Sequence, residues 1–378
     1  MLNNSWKNII AKGDKLEEYT SISDFGQYKI QVALEVLEGC SYNCPGCFVK
    51  RKGNWDPESI QKFYDLAYQL KDRKDIILDD LVIGPTDFFG AQNLGDIVNN
   101  KMLAEAISFM HDGCRNIQHN CSIMGSLSEE DIASKIQMIE NSHLAEVVES
   151  WDVQIALDTR RLLTDKDYLR ACDERVETFR KSKLDYEISI ATNITDGIED
   201  TIYDAIDFVR DRYLTVIEVL PSVVRSFHRG SAHSDKLFRW NAMLDKLAED
   251  PVRFKTKFHF LQGDISHKAY QYSIVNIHSG NYYMAPFIYE NAQIYNKDFN
   301  IELSDDIVDS ILKYKHNVVQ SQIDESGNKE CGSCKYLNVC SHRLIPKVMD
   351  VSFDSRKECI LNKNVISLYD DEVYRGNS

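Results

Sequence analysis

No apolar run in this chain approaches the roughly 20 residues that a membrane-spanning helix needs. The opening stretch, MLNNSWKNIIAKGDKLEEY, lacks the apolar core and small-residue cleavage site of a secretory signal. A cytoplasmic location is therefore expected, with thiols kept reduced and no membrane partner. Positive charge is also in deficit: 44 Lys and Arg face 59 Asp and Glu, a formal charge of −15. Nucleic-acid backbones are held by Lys and Arg, so no nucleic-acid partner is expected, and the charge reads as a solvated acidic surface. No repeat of fixed period occurs, which removes solenoid architectures. What remains is an ordinary globular composition, 43% hydrophobic and 27% charged over 378 residues, enough for one large domain and an appendage.

A strand followed by a helix recurs along the chain. Apolar, β-branched runs at 31–38, 79–83, 115–121, 151–157, 186–192 and 214–220 read as strands. Helical periodicity follows each. The first helix opens at Asp56-Pro57, an N-cap and a first-turn proline. The others run near 99–112, 129–142, 165–182, 198–212 and 235–249. Six βα units imply a parallel sheet with right-handed crossovers, two units short of a closed eight-stranded barrel. The expected fold is thus α/β: an N-terminal extension over 1–27, a partial (β/α)6 TIM-type barrel over 28–250, and a smaller cysteine-rich α+β domain over 251–378. In the last segment, YSIVNIHSGNYYM alternates around Ser279-Gly280, a hairpin signal.

Ten cysteines in a chain expected to stay reduced suggest metal rather than disulfides. CSYNCPGC places Cys40, Cys44 and Cys47 just beyond the first strand, at the sheet's carboxyl end, where active sites of such folds lie. Gly46 lets the loop turn tightly and Pro45 stiffens it. Three thiolates can hold three irons of a cubane cluster and leave the fourth open. The alternative, zinc on three cysteines and a histidine, lacks a nearby His.

The C-x3-C-x2-C spacing with the following Phe48, after the first strand of a partial barrel, resembles the radical S-adenosylmethionine (AdoMet) enzymes. The resemblance implies a [4Fe–4S] cluster on Cys40, Cys44 and Cys47 whose open iron binds AdoMet. It further implies reductive cleavage to a 5′-deoxyadenosyl radical that abstracts a substrate hydrogen atom, with Phe48 beside the cofactor. Where that family often has Gly-Gly-Glu after the second strand, this chain has Gly84, Pro85, Thr86 and Asp87. Asp158 and Asn193, at the ends of the fourth and fifth strands, are candidate ribose contacts; alternatively, either is a turn residue or a helix cap. Arg225, with His228 and Arg229, forms a basic cluster after the sixth strand that could hold a carboxylate or phosphate of cofactor or substrate.

A second group, Cys331, Cys334, Cys340 and Cys359, resembles the cysteine-rich SPASM or twitch extension of the same superfamily. The full SPASM pattern holds two auxiliary clusters. Here Ala285 and Leu344 stand where two further cysteines belong, and none lies between Cys172 and Cys331. One auxiliary [4Fe–4S] cluster on the four remaining cysteines is expected; a zinc knuckle uses the same ligands. Cys172 reads as a small buried hydrophobe, and Cys121, at the end of the third strand, as buried too. Cys114 has no assigned role.

The resemblance implies a peptide modifier forming a cross-link, an oxidation or an epimerised residue, served by a reducing donor such as flavodoxin or ferredoxin. Only about 28 residues precede the first strand, few for a folded leader-binding domain. The alternatives are a dehydrogenase acting on a small molecule such as an aminocyclitol, and a non-catalytic zinc-binding or redox-sensing protein.

Overall fold

The structure, a computed structural model, describes residues 28–35, 57–91, 93–123, 127–193, 198–215, 217–220, 272–284 and 301–311. Six strands follow one another across a parallel sheet: β1 (Tyr28–Leu34), β2 (Ile76–Asp87), β3 (Asn116–Ser122), β4 (Ser150–Leu157), β5 (Tyr186–Asn193) and β6 (Ile217–Leu220). Three more, β7 (Tyr272–His278), β8 (Asn281–Met284) and β9 (Ile301–Leu303), complete the order β6-β5-β4-β3-β2-β1-β7-β8-β9. β1 takes β7 rather than β6 as its second neighbour, so the six-unit sheet stays open, as the sequence leads one to expect.

The helices lie between the strands in sequence. α1 (Pro57–Leu70) begins at the expected proline and packs against β1, β2 and β7 through a stripe that includes Phe63 and Leu66. The helix expected near 99–112 is α3 (Lys101–Ser108), shorter than expected, and a short unexpected helix, α2 (Leu94–Val98), precedes it. Asn100 separates them because its side chain caps α3 at Leu103 N. α4 (Glu129–Glu140) starts with a capping box between Ser128 and Asp131. After it come α5 (His143–Val147), α6 (Thr159–Thr164), α7 (Lys166–Arg180) and α8 (Ile198–Tyr213). The helix expected at 235–249 lies outside the described residues.

The first strand starts three residues earlier than its apolar run, because Tyr28 N already donates to Asp75 O at 2.7 Å. β2 runs longer than its run because it takes in the Gly84–Asp87 segment. The hairpin is where the sequence puts it: β7 and β8 pair antiparallel around Ser279 (φ 49°) and Gly280 (φ 65°), both left-handed, as the tight turn requires. Not expected from sequence was the parallel pairing of β7 with β1, which extends the barrel sheet with strands from the C-terminal segment. The junction expected near residue 250 lies outside the described residues.

Strand register gives the sheet two chemically different faces. On β4, Trp151, Val153, Ile155 and Leu157 are buried in the apolar core beneath the helices. The alternate positions are polar: Asp152 and Gln154 stand beside Gln118 and Asn120 of β3, and Gln154 beside Ser189 of β5. The apolar face holds the fold together, and the other carries polar side chains.

Candidate active site

Of the residues singled out in the sequence, Gly84, Pro85, Thr86, Asp87, Asp158 and Asn193 lie at or just past the carboxyl ends of described strands. β1 ends at Leu34, and Glu35 N still bonds Ile277 O at 3.0 Å. The chain that leaves this end and returns at Pro57 of α1 carries Cys40, Cys44, Cys47 and Phe48, which lie outside the described residues. Arg225, beyond the end of β6, and Cys331, Cys334, Cys340 and Cys359 also lie outside them. Among the described residues, no group of three His, Cys, Asp or Glu side chains could hold a metal. Every cysteine proposed as a ligand lies elsewhere in the chain.

Gly84, Pro85 and Thr86 sit at a break in the sheet. Ile83 pairs with His119, yet the next β2 residue paired to β3 is Asp87, opposite Asn120. The pairing with β1 ends at Ile83 too. Three residues therefore bulge from the sheet at its carboxyl end, and a proline is tolerated there because no ladder bond is required of it. The bulge leaves main-chain polar groups outside the ladder, next to the point where the cysteine-bearing segment departs.

Asp87 anchors the far side of this bulge. One carboxylate oxygen accepts from Phe89 N (2.9 Å) and Gly90 N (3.1 Å), capping a 3-10 turn; the other accepts from Ser122 N at the end of β3 (2.5 Å). Burial pushes its pKa up to about 6, opposed by those three backbone donors and by the Arg175 guanidinium. Its geometry is that of a staple between β2 and β3. Asp158 follows β4 and caps α6, its Oδ1 accepting from Arg160 N (3.0 Å) and Arg161 N (3.2 Å). Asn193 is the last residue of β5.

The three cysteines outside the two groups are not disulfide-bonded. Cys121 and Cys172 are buried in the apolar core, as expected, and burial pushes both thiols up, Cys172 to about 12. Cys121 Sγ accepts from Arg175 Nη1 (3.1 Å). The same guanidinium bonds Ser122 O (3.0 Å) and Glu129 (2.9 Å), fixing the end of β3 to α4 and α7.

Sequence reasoning missed a polar cluster at the carboxyl ends of β1 and β7. The register aligns Ala33 with Asn276, which brings Glu35 and His278 together two residues further on. His278 Nδ1 lies 3.8 Å from Glu35 Oε2, and its ring stacks on Tyr283 of β8 with centroids 4.5 Å apart. Asn276 is fully buried, and among the described residues neither its amide nitrogen nor its amide oxygen has a hydrogen-bond partner. The signal was present as two polar residues, Asn276 and His278, at alternate positions of an otherwise apolar strand. Unmet buried polar groups at this end, together with the bulge, fit a site that takes a polar group from elsewhere.

The fold defined by this open sheet is shared with solved structures of AdoMet-bound proteins. The chain is similar to a polyhistidine-tagged form of anSMEcpe with bound AdoMet, with a TM-score of 0.52 and 11% identity, covering 92% of this chain and 94% of that one. Native anSMEcpe with bound AdoMet and Cp18Cys peptide gives 0.53 and 12%, covering 92% and 98%. The same protein with AdoMet and Kp18Cys peptide gives 0.51 and 11%, again covering 92% and 98%. At such identities the likeness is one of fold. No family model matches the sequence, and no curated protein sequence matches it.

Proposed function

We propose that this chain is a radical AdoMet enzyme with one auxiliary iron–sulfur cluster, acting on a peptide. The observation that carries the proposal is where the cysteine triplet departs. A C-x3-C-x2-C segment follows the carboxyl end of β1, in a sheet whose fold matches that of proteins with bound AdoMet. Cys40, Cys44 and Cys47 would hold a [4Fe–4S] cluster by three thiolates, with Phe48 beside the cofactor. Bound there, such a cluster supplies the electron that cleaves AdoMet to a 5′-deoxyadenosyl radical able to take a hydrogen atom from substrate.

The surrounding residues have separable tasks. The Gly84–Thr86 bulge offers main-chain groups to the cofactor's amino group, and Asp87 holds that bulge against β3. Asp158, Asn193 and Arg225, each at or beyond a strand's carboxyl end in the sequence, would make ribose or carboxylate contacts. Cys331, Cys334, Cys340 and Cys359 would hold the auxiliary cluster in a C-terminal domain over 251–378, with the barrel over 28–250. A peptide substrate is supported by the anSMEcpe structures, which hold Cp18Cys or Kp18Cys peptide. A reducing donor such as flavodoxin or ferredoxin would supply the electron.

Metal content tests the proposal. Anaerobically reconstituted protein should bind about eight irons per chain, and the Cys40→Ala/Cys44→Ala/Cys47→Ala variant about four. Stoichiometric zinc without iron-dependent absorbance would instead favour a zinc-binding protein.

A further inference from the structure

We propose that Asn276 is the recognition residue of a substrate subsite that takes the N–H and C=O of one extended peptide residue. This rests on the peptide-modifying reading above. Asn276 is fully buried, yet both ends of its amide lack a partner among the described residues. Buried polar groups are nearly always paired, so an amide with donor and acceptor both unmet points to a group that arrives later.

Its neighbours explain why nothing within the sheet satisfies it. The register partner on β1 is Ala33, which has no polar atom to offer, and the partner on β8 is Tyr283. The Tyr283 ring stacks on His278. The side chain belongs to the polar face, two residues before His278, which itself lies beside Glu35, near the end of the sheet from which the cysteine segment departs. An amide side chain presents one donor and one acceptor side by side. An extended peptide residue presents its own N–H and C=O on one side in the complementary arrangement. β7 also borders β1 on the side away from β2 to β6.

The test compares reconstituted full-length wild type with Asn276→Leu, using N-acetylalanine methylamide as the probe in saturation-transfer NMR. Wild type should bind it, and Asn276→Leu should bind at least tenfold more weakly. The depsipeptide isostere, with an ester oxygen in place of the alanine N–H, should bind wild type about as weakly as the amide binds the variant. Leucine removes an unpaired amide at similar volume, so the melting temperature should not fall. A variant several degrees less stable, or unfolded, would mean that Asn276 has internal partners, and would overturn the proposal. So would equal probe binding by the two proteins, no binding by wild type, or a loss of AdoMet affinity in place of probe affinity. Formation of 5′-deoxyadenosine by the same wild-type preparation separates the two claims. Its absence counts against the radical reading, whereas its presence with equal probe binding counts against this subsite alone.

Discussion

His119 and Asp87 are buried titratable groups on adjacent strands, and they pull stability in opposite directions as pH falls. The His119 ring lies on the helix-covered face among Phe88, Phe89, Trp151, Phe179 and Tyr186, and burial pushes its pKa down to about 3. The unfolded chain binds a proton below about pH 6.5 that the folded chain refuses, so this group removes stability as pH drops through that value. Asp87, raised to about 6, does the reverse. Its contribution is fully present below about pH 3.8 and is lost as pH rises through about 6. Between pH 7 and pH 5, His119 should cost about 2 kcal/mol and Asp87 should return about 1 kcal/mol. Urea denaturation of His119→Phe over that interval should therefore show a gain of about 1 kcal/mol from this pair. Asp87→Asn should show a loss of about 2 kcal/mol, on top of a lower stability at pH 7 from its unmet partner at Ser122 N. Asp87→Asn that left stability unchanged and weakened AdoMet binding would move Asp87 from staple to cofactor contact.

The hairpin turn between β7 and β8 is a joint between elements distant in sequence. Gly280 has φ 65°, and a Cβ there would come within 2.8 Å of Glu58 Oε2 and 3.1 Å of Glu58 Cβ, in the first turn of α1. The same hairpin bonds α1 through Tyr282 OH to Lys62 O at 2.7 Å. Gly280→Ala should cost about 1 to 2 kcal/mol in chemical denaturation, from left-handed strain and crowding together. In a Glu58→Ala background the cost should be smaller, since the carboxylate is gone while the strain stays. An unchanged cost would mean that crowding against α1 contributes nothing. At this scale much of the fold was legible: Asp56-Pro57 opens α1, Ser279-Gly280 makes the turn, and alternation marks the strands. What was not legible depends on contacts remote in sequence. No local pattern says that β7 pairs with β1, and without that register Asn276, His278 and Glu35 do not form a group. Pro85 within β2 argues against a strand until the bulge excuses it from the ladder. The helix expected near 99–112 begins at Lys101 because Asn100 caps it, while the short helix before it left no periodic signal. For the candidate site, the cysteine spacing was plain in sequence, and so was Asp158 as a possible cap. The polar face was hidden, because alternation shows that a strand has two faces without showing which neighbours share each one.

At the scale of the whole molecule, one open, mostly parallel sheet separates an apolar face from a polar one. Its helix-covered face carries the apolar core, and no described helix is long and apolar enough to cross a membrane. Its other face and its carboxyl ends carry the polar groups. In the proposed enzyme, an auxiliary cluster with four cysteine ligands has no iron left open to bind substrate, so it serves as an electron conduit or a staple. As a conduit it predicts that Cys359→Ala still cleaves AdoMet while product formation stops. A staple predicts that the variant loses solubility and both activities together. The central claim, that the segment following β1 makes this chain a radical AdoMet enzyme, is tested most directly by cofactor cleavage. Reconstituted protein given dithionite and AdoMet under anaerobic conditions should accumulate 5′-deoxyadenosine, slowly even without substrate. The Cys40→Ala/Cys44→Ala/Cys47→Ala variant should form none above background. Equal 5′-deoxyadenosine from both proteins, or none from the iron-loaded wild type, would contradict the account.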